Sequence, residues 1–92
     1  MWDVRISNKC HKGLKKLPEG ISRLFLTLVK DLIESGPSVN WPNYSKLKGT
    51  KNTYHCHIKK GNPTYVVVWV VENKKIKFME VVYVGTHEKA PY

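Results

Sequence analysis

Residues 54–92, YHCHIKKGNPTYVVVWVVENKKIKFMEVVYVGTHEKAPY, decide how this chain folds. Tyr54 to Lys60 alternate, with Tyr54, Cys56 and Ile58 on one side and His55, His57 and Lys59 on the other, the period-two pattern of a half-buried strand. Gly61-Asn62-Pro63 supplies a turn. Tyr65 to Val71 is apolar on both faces, which suits a central strand. Glu72-Asn73-Lys74-Lys75 turns the chain again, and Ile76 to Val84 returns as a last strand. The polar ending Gly85-Thr86-His87-Glu88-Lys89-Ala90-Pro91-Tyr92 then sets a titratable ring and an aromatic side chain at a sheet edge.

Working outward, Trp2, Val4 and Ile6 share one side of a short first strand. Ser7 is placed to cap a helix carrying Cys10, Leu14 and Leu17 at helical spacing until Pro18 stops it. Glu19 to Ser35 repeats Ile21, Leu24, Phe25, Leu28, Leu32 and Ile33 over about four turns before Gly36-Pro37. That stripe needs an apolar surface, and the later strands are the only sheet large enough to offer one. The two helices are therefore expected as a hairpin on one sheet face. Ser38 to Thr53 reads as a long connection pinned by Trp41, Tyr44 and Leu47.

Turn length sets the expected register. A two-residue loop at Asn73-Lys74 puts Val68 opposite Met79 and Val66 opposite Val81. A four-residue loop from Lys60 to Pro63 puts His57 opposite Val66 and His55 opposite Val68. His55, His57, Lys59, Met79, Tyr83 and His87 then share one face. Tyr65, Val67, Trp69, Val71, Phe78 and Val82 meet the helices, and Glu80 points toward the helix layer.

At 92 residues the chain has room for one domain, 1–92, with one two-layer core. Its hydrophobic fraction of 41% argues for a folded chain. There is no apolar run long enough to span a membrane and no signal-peptide pattern, so the cytoplasm is the expected location. The formal charge is +9, from sixteen Lys and Arg against seven acids, an excess that favours a polyanionic partner such as nucleic acid or an acidic protein. Cys10 and Cys56 are read as reduced and buried.

His55-Cys56-His57 looks like a ligand cluster, but alternation sends Cys56 to the opposite face, so no metal site and no cofactor are expected. The same geometry denies Cys56 a histidine base. Acid–base chemistry on a phosphodiester fits better. Metal-free RNA cleavage needs a base for the 2′-hydroxyl, an acid for the leaving 5′-oxygen and cations for the phosphorane. His57, His87 and nearby lysines offer all three, and Tyr92 offers a stacking surface for a nucleobase.

The order strand, helix hairpin, loop, three strands, with Cys56-His57-Ile58-Lys59 on the second strand and Gly85-Thr86-His87 after the last, resembles the RelE/ParE superfamily of toxin–antitoxin toxins. The likeness covers nearly the whole chain. The closing His87-Glu88-Lys89-Ala90-Pro91-Tyr92 is similar to that family's H-R/E-x-x-x-Y ending, and Gly85-Thr86-His87 is nearest its YafQ and HigB branches.

The resemblance implies an α+β fold of order β-α-α-β-β-β, with the N-terminal helix hairpin on one face of a mostly antiparallel four-stranded sheet. It also implies a ribosome-dependent endoribonuclease that cleaves mRNA during translation, with a cognate antitoxin as partner in a hetero-oligomer. By position, His57 and His87 match the family's acid–base histidines and Tyr92 the aromatic on the mRNA base. Lys48, Lys59 and Lys60 match only a basic character. Where members often carry arginines on the second and third strands, this chain has His55 and Val66, so two bidentate phosphate clamps are missing. His55 replaces one in part and Val66 does not, which leaves His55 with Lys48, Lys59 and Lys60 as the expected RNA- and phosphate-binding residues. Two other readings stay open: a non-catalytic ParE-like toxin that binds DNA gyrase, and a basic RNA- or ribosome-binding module.

Overall fold

A computed structural model describes all 92 residues. The elements are β1 (Asp3–Ile6), α1 (Asn8–Leu14), α2 (Glu19–Ser35), β2 (Ser45–Lys46), β3 (Thr53–Lys59), β4 (Tyr65–Asn73) and β5 (Phe78–Thr86), followed by a short 3₁₀ turn at His87–Lys89.

Local chemistry explains both helices. Ser7 sits in extended backbone, and its Oγ accepts from the Cys10 N–H at 3.1 Å, satisfying one of the free donors of the first turn of α1. Pro18 precedes α2, whose Ile21, Phe25, Leu28 and Leu32 fall on one stripe and are all buried. The helix stops at Gly36, where φ is +87°, and the Gly36 N–H donates to the Leu32 carbonyl. A Cβ at Gly36 would also stand 2.8 Å from the Trp2 indole nitrogen, so both backbone and packing call for glycine there.

The sheet order is β1-β5-β4-β3-β2, with β1 parallel to β5 and every other pair antiparallel. It has five strands rather than the expected four. The addition is β2, two residues that pair Ser45 with His55 and Lys46 with Tyr54. A segment that short carries no periodicity to read.

The β3–β4 register is as expected, with His55 opposite Val68 and His57 opposite Val66. The β4–β5 register is not. Asn73 pairs with Phe78, leaving a four-residue loop in which Asn73 Oδ1 accepts from the Lys75 and Ile76 N–H groups and Lys77 adopts φ of +52°. Two further irregularities follow, and Met79 comes opposite Val71, Val81 opposite Trp69 and Tyr83 opposite Val68. Met79 and Val81 therefore join the core beneath the helices, whereas Phe78 lies under the Arg5 guanidinium and outside that core. Val82 is likewise left out of it. Glu80 shares its face with Arg5 and Val70, away from the helix layer.

The core joins Cys10, Ile21, Phe25, Leu28 and Leu32 of the helices to Cys56, Ile58, Val67, Trp69, Met79, Val81 and Val84 of the sheet. Tyr44, Tyr54 and Trp69 form a triangle of nearly parallel rings, every pair of centroids 6.0–6.4 Å apart. The three tryptophans gather around the end of α2. Trp2 donates its backbone N–H to Ile33, the Trp41 indole donates to the Asp31 carboxylate at 2.7 Å, and the Trp69 indole donates to the Pro37 carbonyl at 3.2 Å. On the other face of the sheet, Val66 and Val68 are also buried, although no helix lies over them.

Candidate functional site

What stands over Val66 and Val68 is a set of rings. His55 and His57 rise from β3 directly opposite these valines, and Tyr83 rises from β5 opposite Val68. His87 and Tyr92 arrive from beyond β5. His57 lies 5.9 Å from His55 and 5.5 Å from His87, centroid to centroid, while Tyr92 lies 5.0 Å from His55 and 5.9 Å from His87. The four rings close a circuit.

Each ring has a local reason for its place. The His57 N–H donates to the Pro42 carbonyl at 2.8 Å, tying β3 to the long connection. The His55 Nδ1 lies 3.3 Å from both the hydroxyl and the carbonyl of Ser45, so the short β2 orients that ring. The His87 N–H donates to the Thr64 carbonyl at 2.8 Å, and the Ala90 N–H closes the 3₁₀ turn onto the His87 carbonyl. The Tyr83 hydroxyl donates to the Thr86 carbonyl at 2.8 Å. Its ring crosses the backbone of Gly85, where a Cβ would fall 2.6 Å from the phenol oxygen. Only glycine leaves that path open.

Beside His57 and His87 opens a cleft of about 280 Å³, lined by those two rings with Gly61, Asn62, Pro63, Thr64, Thr86 and Glu88. Burial, then the charges of His55, His87 and Lys60, hold the His57 imidazolium pKa below its usual 6.5. Its Nδ1 is enclosed without a hydrogen-bond partner. His57 is thus neutral at pH 7, the form that accepts a proton. Burial, followed by Tyr83 and then Cys56, raises the Tyr92 phenol above its usual 10, so it keeps its proton. Burial pushes both thiols up to about 12, with Glu80 adding to the effect at Cys10, and neither supplies a thiolate nucleophile.

The lowered value at His57 fixes a pH response. Above 6.5 the ring is neutral in both folded and unfolded chains and exacts no penalty. As pH falls from there toward the lower folded value, the unfolded chain takes up more protons and the fold loses stability. Melting temperature is therefore expected to drop between about pH 7.5 and pH 5 by more in the unaltered protein than in His57→Gln. Parallel curves for the two proteins would count against the enclosed imidazole.

Of the residues singled out from sequence, His55, His57, His87 and Tyr92 come together, and Lys60 is near enough to act on His57. Lys59 does not join them. The β3–β4 pairing shifts between His57 and Lys59, so Lys59 comes opposite Tyr65 and lines a groove on the helix side with Pro18, Ile21 and Leu24. Lys48 lies in an exposed turn after β2, toward the Thr53 end of β3 and away from His57. Thr64, Thr86 and Glu88 line the cleft without having been singled out. Glu88 at least had a signal, as the residue directly after His87.

No protein-family model matches the sequence, and no curated protein does. Solved structures do. The RelE–RelB complex of Pyrococcus horikoshii OT3 contains a chain with TM-score 0.76 and 24% identity, covering 97% of this chain and 98% of that one. The isolated RelE toxin of E. coli gives 0.73 and 20%, covering 99% and 89%. A chain of the intact E. coli RelBE toxin–antitoxin complex gives 0.72 and 22%, covering 97% and 100%. With the helix hairpin, the sheet order and these likenesses end to end, the chain has the fold of the RelE-type toxins.

Proposed function

We propose that this protein is the toxin of a type II toxin–antitoxin system and an endoribonuclease that cuts mRNA on the translating ribosome without a metal ion. One observation carries the reading: His57 and His87 meet edge to face with centroids 5.5 Å apart, both lining one open cleft, with Tyr92 against His55 and His87. Neutral His57 takes the proton of a ribose 2′-hydroxyl as its oxygen attacks the adjacent phosphorus. His87 gives a proton to the departing 5′-oxygen. The products are a 2′,3′-cyclic phosphate and a 5′-hydroxyl, and the two imidazoles exchange protonation states in the process. Lys60, which lines the helix-side groove but whose charge is felt at His57, supplies positive potential for the phosphorane, and Tyr92 stacks on a neighbouring base.

The charge of +9 supports a chain that works among ribosomal and messenger RNA, and on this reading it acts in the cytoplasm. A cognate antitoxin is the natural protein partner, because fold neighbours from P. horikoshii and E. coli are in complexes with their antitoxins.

The test is to induce the unaltered protein and His87→Ala in growing cells while mapping mRNA 5′ ends. Growth arrest with new ends at ribosomal A-site codons is expected from the first, and relief of both from the second. Neither arrest nor new ends from the unaltered protein would overturn the reading. Val66, buried beneath His57 where a guanidinium would reach phosphate, favours one competitor. Arrest with intact mRNA and altered DNA supercoiling would replace the nuclease by a gyrase-binding toxin.

A further inference from the structure

A third concavity, of about 280 Å³, lies beside β5 and is lined by Lys9, Val82, Tyr83, Lys89 and Pro91. It forms for a topological reason. β1 pairs with β5 only as far as Ile6 and Val81, and the Ser7 N–H closes that ladder on the Val81 carbonyl. The chain then turns into α1, which sets Lys9 next to Val82 and Tyr83. From the other side, the 3₁₀ turn that presents His87 to His57 carries Lys89 and leads into Pro91.

The polar side chains of this concavity are two ammonium groups and one phenol, with no carboxylate among the lining residues. Neither lysine is in an ion pair: the salt bridges of the chain join Arg5 to Asp3 and Arg23 to Glu19. Two cations gathered at one hollow repel each other unless an anion lies between them. We propose that Lys9 and Lys89 form a phosphate subsite, holding a backbone phosphate of the same RNA strand that is cut at the His57–His87 cleft. This rests on the RNA-cleaving reading.

Continuity and chemistry both support it. Tyr83 lines the concavity and packs over Gly85, Pro91 lines it and precedes Tyr92, and so the hollow and the ring cluster adjoin along β5. Lysine engages phosphate as a point charge on a flexible stem, without reading sequence. That suits a strand held for cutting, and it returns to the site some of the positive charge that Val66 leaves out of the sheet.

The experiment titrates an RNA hexanucleotide, 2′-O-methylated at every position so that it cannot be cut, into the protein over a series of salt concentrations. Lys9→Ala/Lys89→Ala is compared with Lys74→Ala/Lys75→Ala, which removes equal charge at the β4–β5 loop, with thermal melting confirming that both fold. The first variant is expected to bind several-fold more weakly, with the slope of log K against log salt smaller by about 0.7–1, and the second to change much less. Equal losses in the two variants, or none in either, would overturn the subsite while leaving the nuclease standing. No binding by the unaltered protein at low salt would likewise overturn the subsite, while the nuclease reading falls only if no new mRNA ends appear in cells. Displacement of the oligonucleotide by inorganic phosphate, at constant ionic strength, down to the level of the first variant would reassign the hollow to a free anion.

Discussion

His57→Ala is expected to slow mRNA cleavage by about 10²- to 10⁴-fold, the range for losing one positioned general acid or base. His87→Ala should fall in the same range. Their combination should cost far less than the product of the two, because a base that starts the displacement and an acid that completes it work as a unit. Single-turnover cleavage of ribosome-bound mRNA measures all three. The pH profile adds a check specific to His57: its protonation shuts the reaction off on the acid side, below 6.5, since its folded value is lowered. That acid limb should vanish from whatever activity His57→Ala retains. An unchanged limb would assign the base to another group.

Trp69→Ala is expected to be the most damaging single change to the fold, at about 3–5 kcal/mol. Trp69 is fully buried, joins the helix–sheet core, stacks on Tyr44 and Tyr54, and donates to the Pro37 carbonyl. Against the roughly 5–15 kcal/mol that holds a domain together, such a loss leaves little in reserve. Urea unfolding gives the number. Trp69→Phe keeps a stacking ring but strands the Pro37 carbonyl, and it should cost clearly less. Equal costs would mean that the hydrogen bond, rather than the buried ring, dominates at this position.

Much of this was legible in the residues. α2 was readable from the spacing of Ile21, Phe25, Leu28 and Leu32, because a helix that must bury one stripe advertises it. The pairing of His57 with Val66 came out as expected although the loop is one residue longer than the four assumed, because the irregularity between His57 and Lys59 offsets the extra residue. The β4–β5 turn was not readable in the same way. Asn73 hydrogen-bonds the backbone ahead of it and Lys77 takes a left-handed conformation that lysine seldom adopts, so the loop is longer than charge and turn residues suggest. Each bulge then reverses which side chains face the core, and this is how Met79 came to be buried and Lys59 turned to the helix side. The ring cluster escaped those errors. His55 and His57 precede the irregularity in β3, and beyond the one at Val68 and Trp69 the β5 side chains return to the expected faces, carrying Tyr83 to the right side.

The site thus divides between two kinds of support. β3 provides His55 and His57 with backbone fixed on both sides, by β4 and by Ser45 and Pro42. His87 and Tyr92 rest on the Thr64 carbonyl, one 3₁₀ turn and contacts between rings. His55 and His57 are therefore held more rigidly than His87 and Tyr92.

The gathering of Trp2, Trp41 and Trp69 around the end of α2 gives the molecule a built-in optical gauge. All three indoles pack against the helix-side core, on the far side of the sheet from the imidazoles. Their emission follows the integrity of that core and is screened by the sheet from whatever occupies the cleft. Indole fluorescence thus reads the state of that core, so that a variant defective in cutting can be sorted, in one cuvette, by whether its core is intact.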